Sequence, residues 1–480
     1  MNLAEARQFL DRRWDDELIP RLVDYVKVPA KSPAFDASWA AHGHLQAVVK
    51  DAHAWAAAQR IAGLRLEIVA IEGRTPCLFF DVPATRGLGN DRTVLFYGHL
   101  DKQPEMEGWR EGLGPWLPVI EDGKLYGRGA ADDGYAIYAA LSVIAALDAQ
   151  ATARPRCVGL IETCEESGSP DLPAYLDLLA PRLGDVTLVA GLDSGCGSYD
   201  QLWVTTSLRG LVGGALTVEV LSEGVHSGNA SGLVPSSMRI ARQLLNRIDD
   251  PATGRVLADA FHAEVPAERL AQAQAAGEIL GEQVWRQFPW IGCSHGEGGH
   301  AHAQPTTTDP VEAILARTWR PALSVTGAAG FPGIDSAGNV LRPKTTFKLS
   351  LRLPPTVDGQ QATQALKRLL EANPPYNARV SFDADCGATG WNAPATAPWL
   401  ARAANEASRA AFGREAAWMG EGGTIPFMSM LGEKFPRAQY LITGVLGPRS
   451  NAHGPNEFLH IDCAKKLSAA VASIVAQVPA

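Results

Sequence analysis

Histidine and carboxylate residues gather at a few places in this chain, most of them just past a short apolar run. His99 and Asp101 stand in YGHLD, directly after the apolar residues 93–97. Asp132 and Asp133 stand in GRGAADDG, immediately before a stretch rich in Ala, Ile and Leu. Glu165 and Glu166 follow residues 156–162 in ETCEESG, Asp193 follows 186–190 in GLDSG, and His453 stands in NAHGPNE. Taken singly, each has a plain structural explanation. An Asp before a helix caps its N-terminus and complements its dipole; a lone histidine can be a core residue; adjacent glutamates can be a solvated pair. Taken together, so many carboxylates converging on one crevice would be costly without a cation. Two divalent metal ions would neutralise them.

The elements that must position these residues alternate between strand and helix. Residues 3–28 carry apolar side chains at helical spacing (Phe9, Leu10, Trp14, Leu18, Ile19, Leu22, Val23) and are punctuated by Pro29 and Pro33. A second helix is expected at 44–62, strands at 64–70, 77–82 and 93–97, a helix at 134–149, and strands at 156–162 and 186–190 with helix between them. This alternation argues for an α/β domain with a mixed sheet covered by helices, and such sheets place their sites at the carboxyl ends of the strands. From Leu208 the texture changes: strand 211–221, helix 236–247, a helical stretch 267–287, a loop rich in Gly, His and Thr, strand 345–353, helix 359–371 and strand 378–384. This reads as an inserted α+β unit over 208–384. The α/β pattern then resumes with helix 398–412, strand 439–443 and helix 461–478, giving a discontinuous domain of 1–207 and 385–480.

Composition narrows the function classes. The chain has 480 residues, more than one hydrophobic core usually supports. Its formal net charge of -9 disfavours nucleic acid as a partner. The first residues are rich in charge and lack the apolar core of a secretory signal, and no uninterrupted apolar run approaches the roughly 20 residues of a membrane span. Seven cysteines lie scattered without a CxxC pair, which reads as reduced thiols and favours the cytoplasm.

The run GHLDKQPEMEGW…GPWLPVIEDGKLYGRGAADD, followed in order by ETCEESGSPDL, EGVHSG, SLRLPP, EGGTIPF and NAHGPNEF, resembles the co-catalytic metallohydrolases. These include carnosinases, cytosolic dipeptidases, glutamate carboxypeptidases and aminoacylases, and the likeness is nearest to the carnosinase and cytosolic dipeptidase branch. The resemblance implies a catalytic α/β domain with an inserted lid/dimerisation domain. It implies two Zn²⁺ ions per subunit, with Mn²⁺ or Co²⁺ also suited to such donors: one held by His99 and Asp193, the other by Glu166 and His453, with Asp132 between them. It makes Glu165 the general base and Asp101 the carboxylate that fixes the His99 tautomer. Arg352, with Thr424 and Gly423, would bind a substrate carboxylate, and His226 would act in the active site of a partner subunit in a homodimer. A small peptide is the implied substrate, and an acyl-amino-acid deacylase, a carboxypeptidase or a non-catalytic peptide binder are the rivals. It also implies a cis peptide between Asp132 and Asp133.

Two positions depart from the family pattern. Gly134 and Tyr135 follow the Asp-Asp pair where a lysine is common, which should alter local packing. Lys102 replaces a commonly apolar residue and is expected to be a solvated loop lysine, the alternative being a contact with substrate carboxylate. His295, His300 and His302 have loose metal-ligand spacing but fall in the inserted unit, where a polar loop for substrate selection is the favoured reading.

Overall fold

The computed structural model describes residues 1–85, 87–291, 303–424 and 426–479. His295, His300 and His302 therefore lie outside the described residues.

Six strands form the central sheet in the order Arg65–Val69, Cys77–Val82, Arg156–Glu162, Arg92–His99, Asp185–Gly191 and Gln439–Ile442. The last four run parallel, while Cys77–Val82 is antiparallel to its neighbours on both sides. The parallel strands are nearly continuous apolar runs because helices cover both faces. One face packs on Ala136–Ala149, Pro398–Phe412 and Ile461–Val475, the other on Leu172–Leu183. By length and mean hydropathy Ala130–Ala149 could span a bilayer, but Asp132, Asp133 and Asp148 interrupt it and its most apolar window is 94% buried inside the protein. It is a core helix.

A second, fully antiparallel sheet has the order Ala322–Ala329, Lys344–Leu353, Gly210–Glu219 and Arg379–Ala388. Along Lys344–Leu353 the residues Phe347, Leu349, Leu351 and Leu353 are buried against helices Ser237–Leu245 and Gly359–Glu371. Period-two alternation puts Thr346, Lys348, Ser350 and Arg352 on the opposite face.

The expected domain limits differ from this architecture in two ways. Arg379–Ala388 continues the second sheet through residue 385, so the chain leaves that unit only after Ala388. Helices Ala267–Leu280 and Pro310–Thr318, within the expected insertion, pack instead against Trp203–Leu208 and Ala417–Glu421. Ala273, Ala276, Ile314 and Leu315 share a core there with Trp203, Ala417 and Met419. Apolar matching with a distant strand decided their place, and chain position did not reveal it.

Candidate active site

His99 is the last residue of its strand. Glu165 and Glu166 form a single 3-10 turn just after Arg156–Glu162, Asp193 follows Asp185–Gly191, and His453 lies in the loop after Gln439–Ile442. The parallel register thus brings all five to one end of the sheet. Asp132 enters from the turn Ala130–Gly134, whose Asp132–Asp133 peptide is cis. Gly98 makes room for this approach: a Cβ there would lie 2.7 Å from the Ala136 methyl and 2.8 Å from an Asp133 carboxylate oxygen.

Asp132 sits at the middle. Its Oδ1 is 3.2 Å from His99 Nε2 and its Oδ2 is 3.1 Å from His453 Nε2. On the His99 side, Asp193 Oδ2 and Glu165 Oε2 lie 3.6 and 4.0 Å from the same Nε2. On the His453 side, Glu166 Oε2 lies 3.4 Å from the ring nitrogen. Among the described residues, His99, Asp132 and Glu166 form one group of donor atoms within 4.8 Å of one another, and His99, Glu165 and Asp193 form a second.

The electrostatics of this cluster follow from burial. Burial and repulsion from neighbouring carboxylates push Glu165 and Glu166 well above the usual carboxylate range and Asp193 up to about 7. Burial acts on Asp132 in the same direction, but hydrogen bonds with His453 and His99 outweigh it and hold Asp132 low. Both histidines resist burial's pull toward neutrality: Asp101 and Asp132 raise His99, and Asp132 raises His453 to about 9. The donor set, mixed imidazole and carboxylate in two clusters sharing Asp132, fits a pair of divalent cations.

Residues behind the donors hold them in place. His99 Nδ1 faces the Asp101 carbonyl at 3.1 Å and its carboxylate at 3.4 Å, which fixes the ring with an Nδ1–H toward Asp101 and turns Nε2 to the cluster, the nitrogen that would take a metal ion. The Asp101 carboxylate also accepts from the backbone N–H groups of Glu165 and Glu166, at 3.1 and 3.0 Å. One residue therefore orients an imidazole and the whole glutamate turn. Gln103 donates to Glu166 Oε2 at 2.5 Å. Arg128 and Glu457, both buried, pair with each other beneath the His453 loop.

Lys102 corrects an expectation. It is fully buried, neither a solvated loop residue nor a carboxylate contact: its Nζ donates to the carbonyls of Tyr25 (2.7 Å), Val26 (3.4 Å) and Val28 (2.8 Å) at the end of helix Ile19–Val26. Gly134 has its reason in the same helix, because a Cβ there would come within 2.2 Å of the Tyr25 ring.

Arg352 is partly buried, and its Nη1 donates to Thr424 Oγ1 at 2.8 Å. That hydroxyl donates onward to the Arg209 carbonyl at 2.6 Å, and the Gly423 carbonyl accepts from Arg209 N–H at 3.1 Å. Lid strand and turn 422–424 are thus joined around one guanidinium. His226 stands apart from the donors, exposed in Val225–His226, a short strand paired with Val340–Leu341. Its Nδ1 accepts from Gly228 N–H at 3.1 Å, which leaves the ring proton on Nε2.

The profile of peptidase family M20/M25/M40 matches residues 95–477, a span that includes every donor described above. The chain belongs to this family. Among curated M20 relatives, the Cys-Gly metallodipeptidase DUG1 of Saccharomyces cerevisiae is 28% identical over 388 residues, covering 77% of this chain and 76% of the relative. The human Beta-Ala-His dipeptidase is 28% identical over 380 residues, covering 74% and 69%. Two solved M20 structures share the fold over nearly the whole chain. Dug1p of Saccharomyces cerevisiae aligns with a TM-score of 0.78 at 21% identity, covering 99% of this chain and 98% of that one. Human carnosine dipeptidase 1 aligns with a TM-score of 0.77 at 21% identity, covering 100% and 99%. These M20 relatives agree with the expected branch and with an α/β domain carrying a second α+β unit.

Proposed function

We propose that this M20 peptidase is a two-metal dipeptidase that hydrolyses the amide bond next to a free C-terminal carboxylate. The observation that carries the reading is Asp132, whose two carboxylate oxygens address different histidines at 3.2 and 3.1 Å. His99 and Asp193 would hold one ion and Glu166 and His453 the other, with Asp132 between them serving both. Zn²⁺ is the proposed ion, and Mn²⁺ and Co²⁺ suit the same donors. When bound, the two cations supply charge neutralisation and Lewis acidity.

The remaining chemistry falls to this chain. Glu165, held at the donor cluster by its backbone bond to Asp101, takes a proton from the attacking water and passes it to the leaving amine. Arg352 pairs with the substrate carboxylate, and Thr424 and Gly423 complete the clamp. His226 of the partner subunit donates its Nε2 proton to the oxyanion of the tetrahedral intermediate. This last role needs a homodimer formed through the lid. The free cysteines among the described residues support a reducing, cytoplasmic setting.

The test is a hydrolysis screen of dipeptides, amidated dipeptides and N-acetyl amino acids with Zn²⁺, Mn²⁺ and Co²⁺ in parallel. Preference for free dipeptides supports the reading. Turnover confined to N-acetyl amino acids would make the protein a deacylase, and metal binding without any turnover would make it a binding protein.

A further inference from the structure

The three residues proposed to serve the His453-side ion, Asp132, Glu166 and His453, sit on three loops from distant parts of the chain. One buried ion pair touches two of these loops, and the segment from which Gln103 reaches the third. Arg128 is 1% exposed and Glu457 is 0% exposed, and they bind each other through Arg128 Nη1. Arg128 Nη2 donates to the carbonyls of His453 (3.0 Å) and Gly454 (2.9 Å). Arg128 Nε donates to the Pro104 carbonyl at 3.2 Å, and the residue before Pro104 is Gln103, which holds Glu166. Glu457 Oε1 accepts from Gly129 N–H at 2.8 Å, at the start of the turn that carries Asp132. The His453 loop needs such a brace, since Asn451, His453 and Asn456 all have positive φ (54°, 66° and 62°). Asparagine adopts that conformation readily, but in a histidine it is uncommon and marks backbone held by its surroundings. The contacts of His99 and Asp193 involve no member of this pair.

We infer that Arg128 and Glu457 are positioning residues chiefly for the His453-side ion, acting beside the Asp101 and Asp132 contacts that the two sites share. The pair touches no reacting atom. It fixes the loop geometry from which Glu166 and His453 converge on Asp132, while the His99 and Asp193 side is fixed by the central strands. This rests on the ligand assignment proposed above.

The experiment measures metal per subunit after loading with Zn²⁺ and dialysis, together with thermal unfolding. The variants are Glu457→Gln, which keeps the shape and an acceptor for Gly129, Arg128→Lys, and the double variant Arg128→Met/Glu457→Leu, which leaves no unpaired buried charge. The expected result is folded protein that retains one ion and needs about 10–100-fold more Zn²⁺ to fill the second, the usual cost of losing an outer-shell partner. Asp193→Ala serves as the opposite control, losing the other ion with the brace intact. Folded variants that hold both ions like the parent, or lose both equally, would overturn the inference. So would loss of fold in all three variants, which would assign the pair to stability alone. Failure of the ligand assignment would appear elsewhere: the parent would not hold two ions, or His453→Ala would release none.

Discussion

Glu165 and Glu166 are neighbours in one 3-10 turn, yet their surroundings give them different work. Glu166 points at His453 and is held by Gln103, while Glu165 lies near His99 and Asp193 with burial raising its proton affinity. Glu165→Gln should therefore keep both metals and lose about 10²–10⁴ in kcat, the range for loss of a general base. Near-normal turnover in that variant would remove Glu165 from the role. Asp132→Ala should lose metal as well as activity, and two tightly held ions in it would deny the bridge. Much of this cluster was legible in the chain because His99, Glu165, Glu166 and Asp193 close or follow conspicuous apolar strands and Asp132 stands just before an apolar helix. The supporting residues were not. Arg128 meets Glu457 across 329 positions and Lys102 meets Tyr25 across 77, and no local spacing records such pairings.

At the scale of elements, helix Ile19–Val26 ends on the buried Lys102 amino group, whose removal would take a side-chain donor from the carbonyls of Tyr25, Val26 and Val28. Lys102→Met should lower stability by about 1–3 kcal/mol, read as a shift of the denaturant midpoint, and an unchanged midpoint would contradict the cap. The lid strand Lys344–Leu353 carries Arg352 on its unburied face. Arg352→Ala should lose about 1.5–3 kcal/mol of transition-state binding for free dipeptides, roughly ten- to hundredfold in kcat/KM, with little change for amidated ones. An undiminished preference for the free acid would exclude Arg352 from carboxylate recognition. Strand Lys344–Leu353 could be read from its alternation. Its neighbour Ala322–Ala329 could not, being an edge strand of small, mostly exposed residues with no apolar face to betray it. Helix Pro310–Thr318 did carry signals, an Asp309 cap followed by proline, but they lay beside a Gly- and His-rich run that read as continuous loop.

For the whole molecule, the exposed His226 and the donor cluster belong to different parts of the fold, so the proposal joins them across two subunits. Mixing His226→Ala with Glu165→Gln subunits should restore activity, because each mixed dimer would contain one intact site. Heterodimers that form without recovery would return His226 to its own subunit or remove it from catalysis. The metal pair is the larger claim. Burial of Asp132, Glu165, Glu166 and Asp193 around two histidines is explained by cations that the carboxylates require, and catalysis should follow their loading. The most direct measurement is the rate of dipeptide hydrolysis by metal-free protein titrated with Zn²⁺, plotted against ions bound per subunit. The account predicts no turnover without metal and full turnover only as the second ion binds. Hydrolysis by the chelated protein, full activity with a single ion, or no cleavage of any dipeptide with both bound would contradict it.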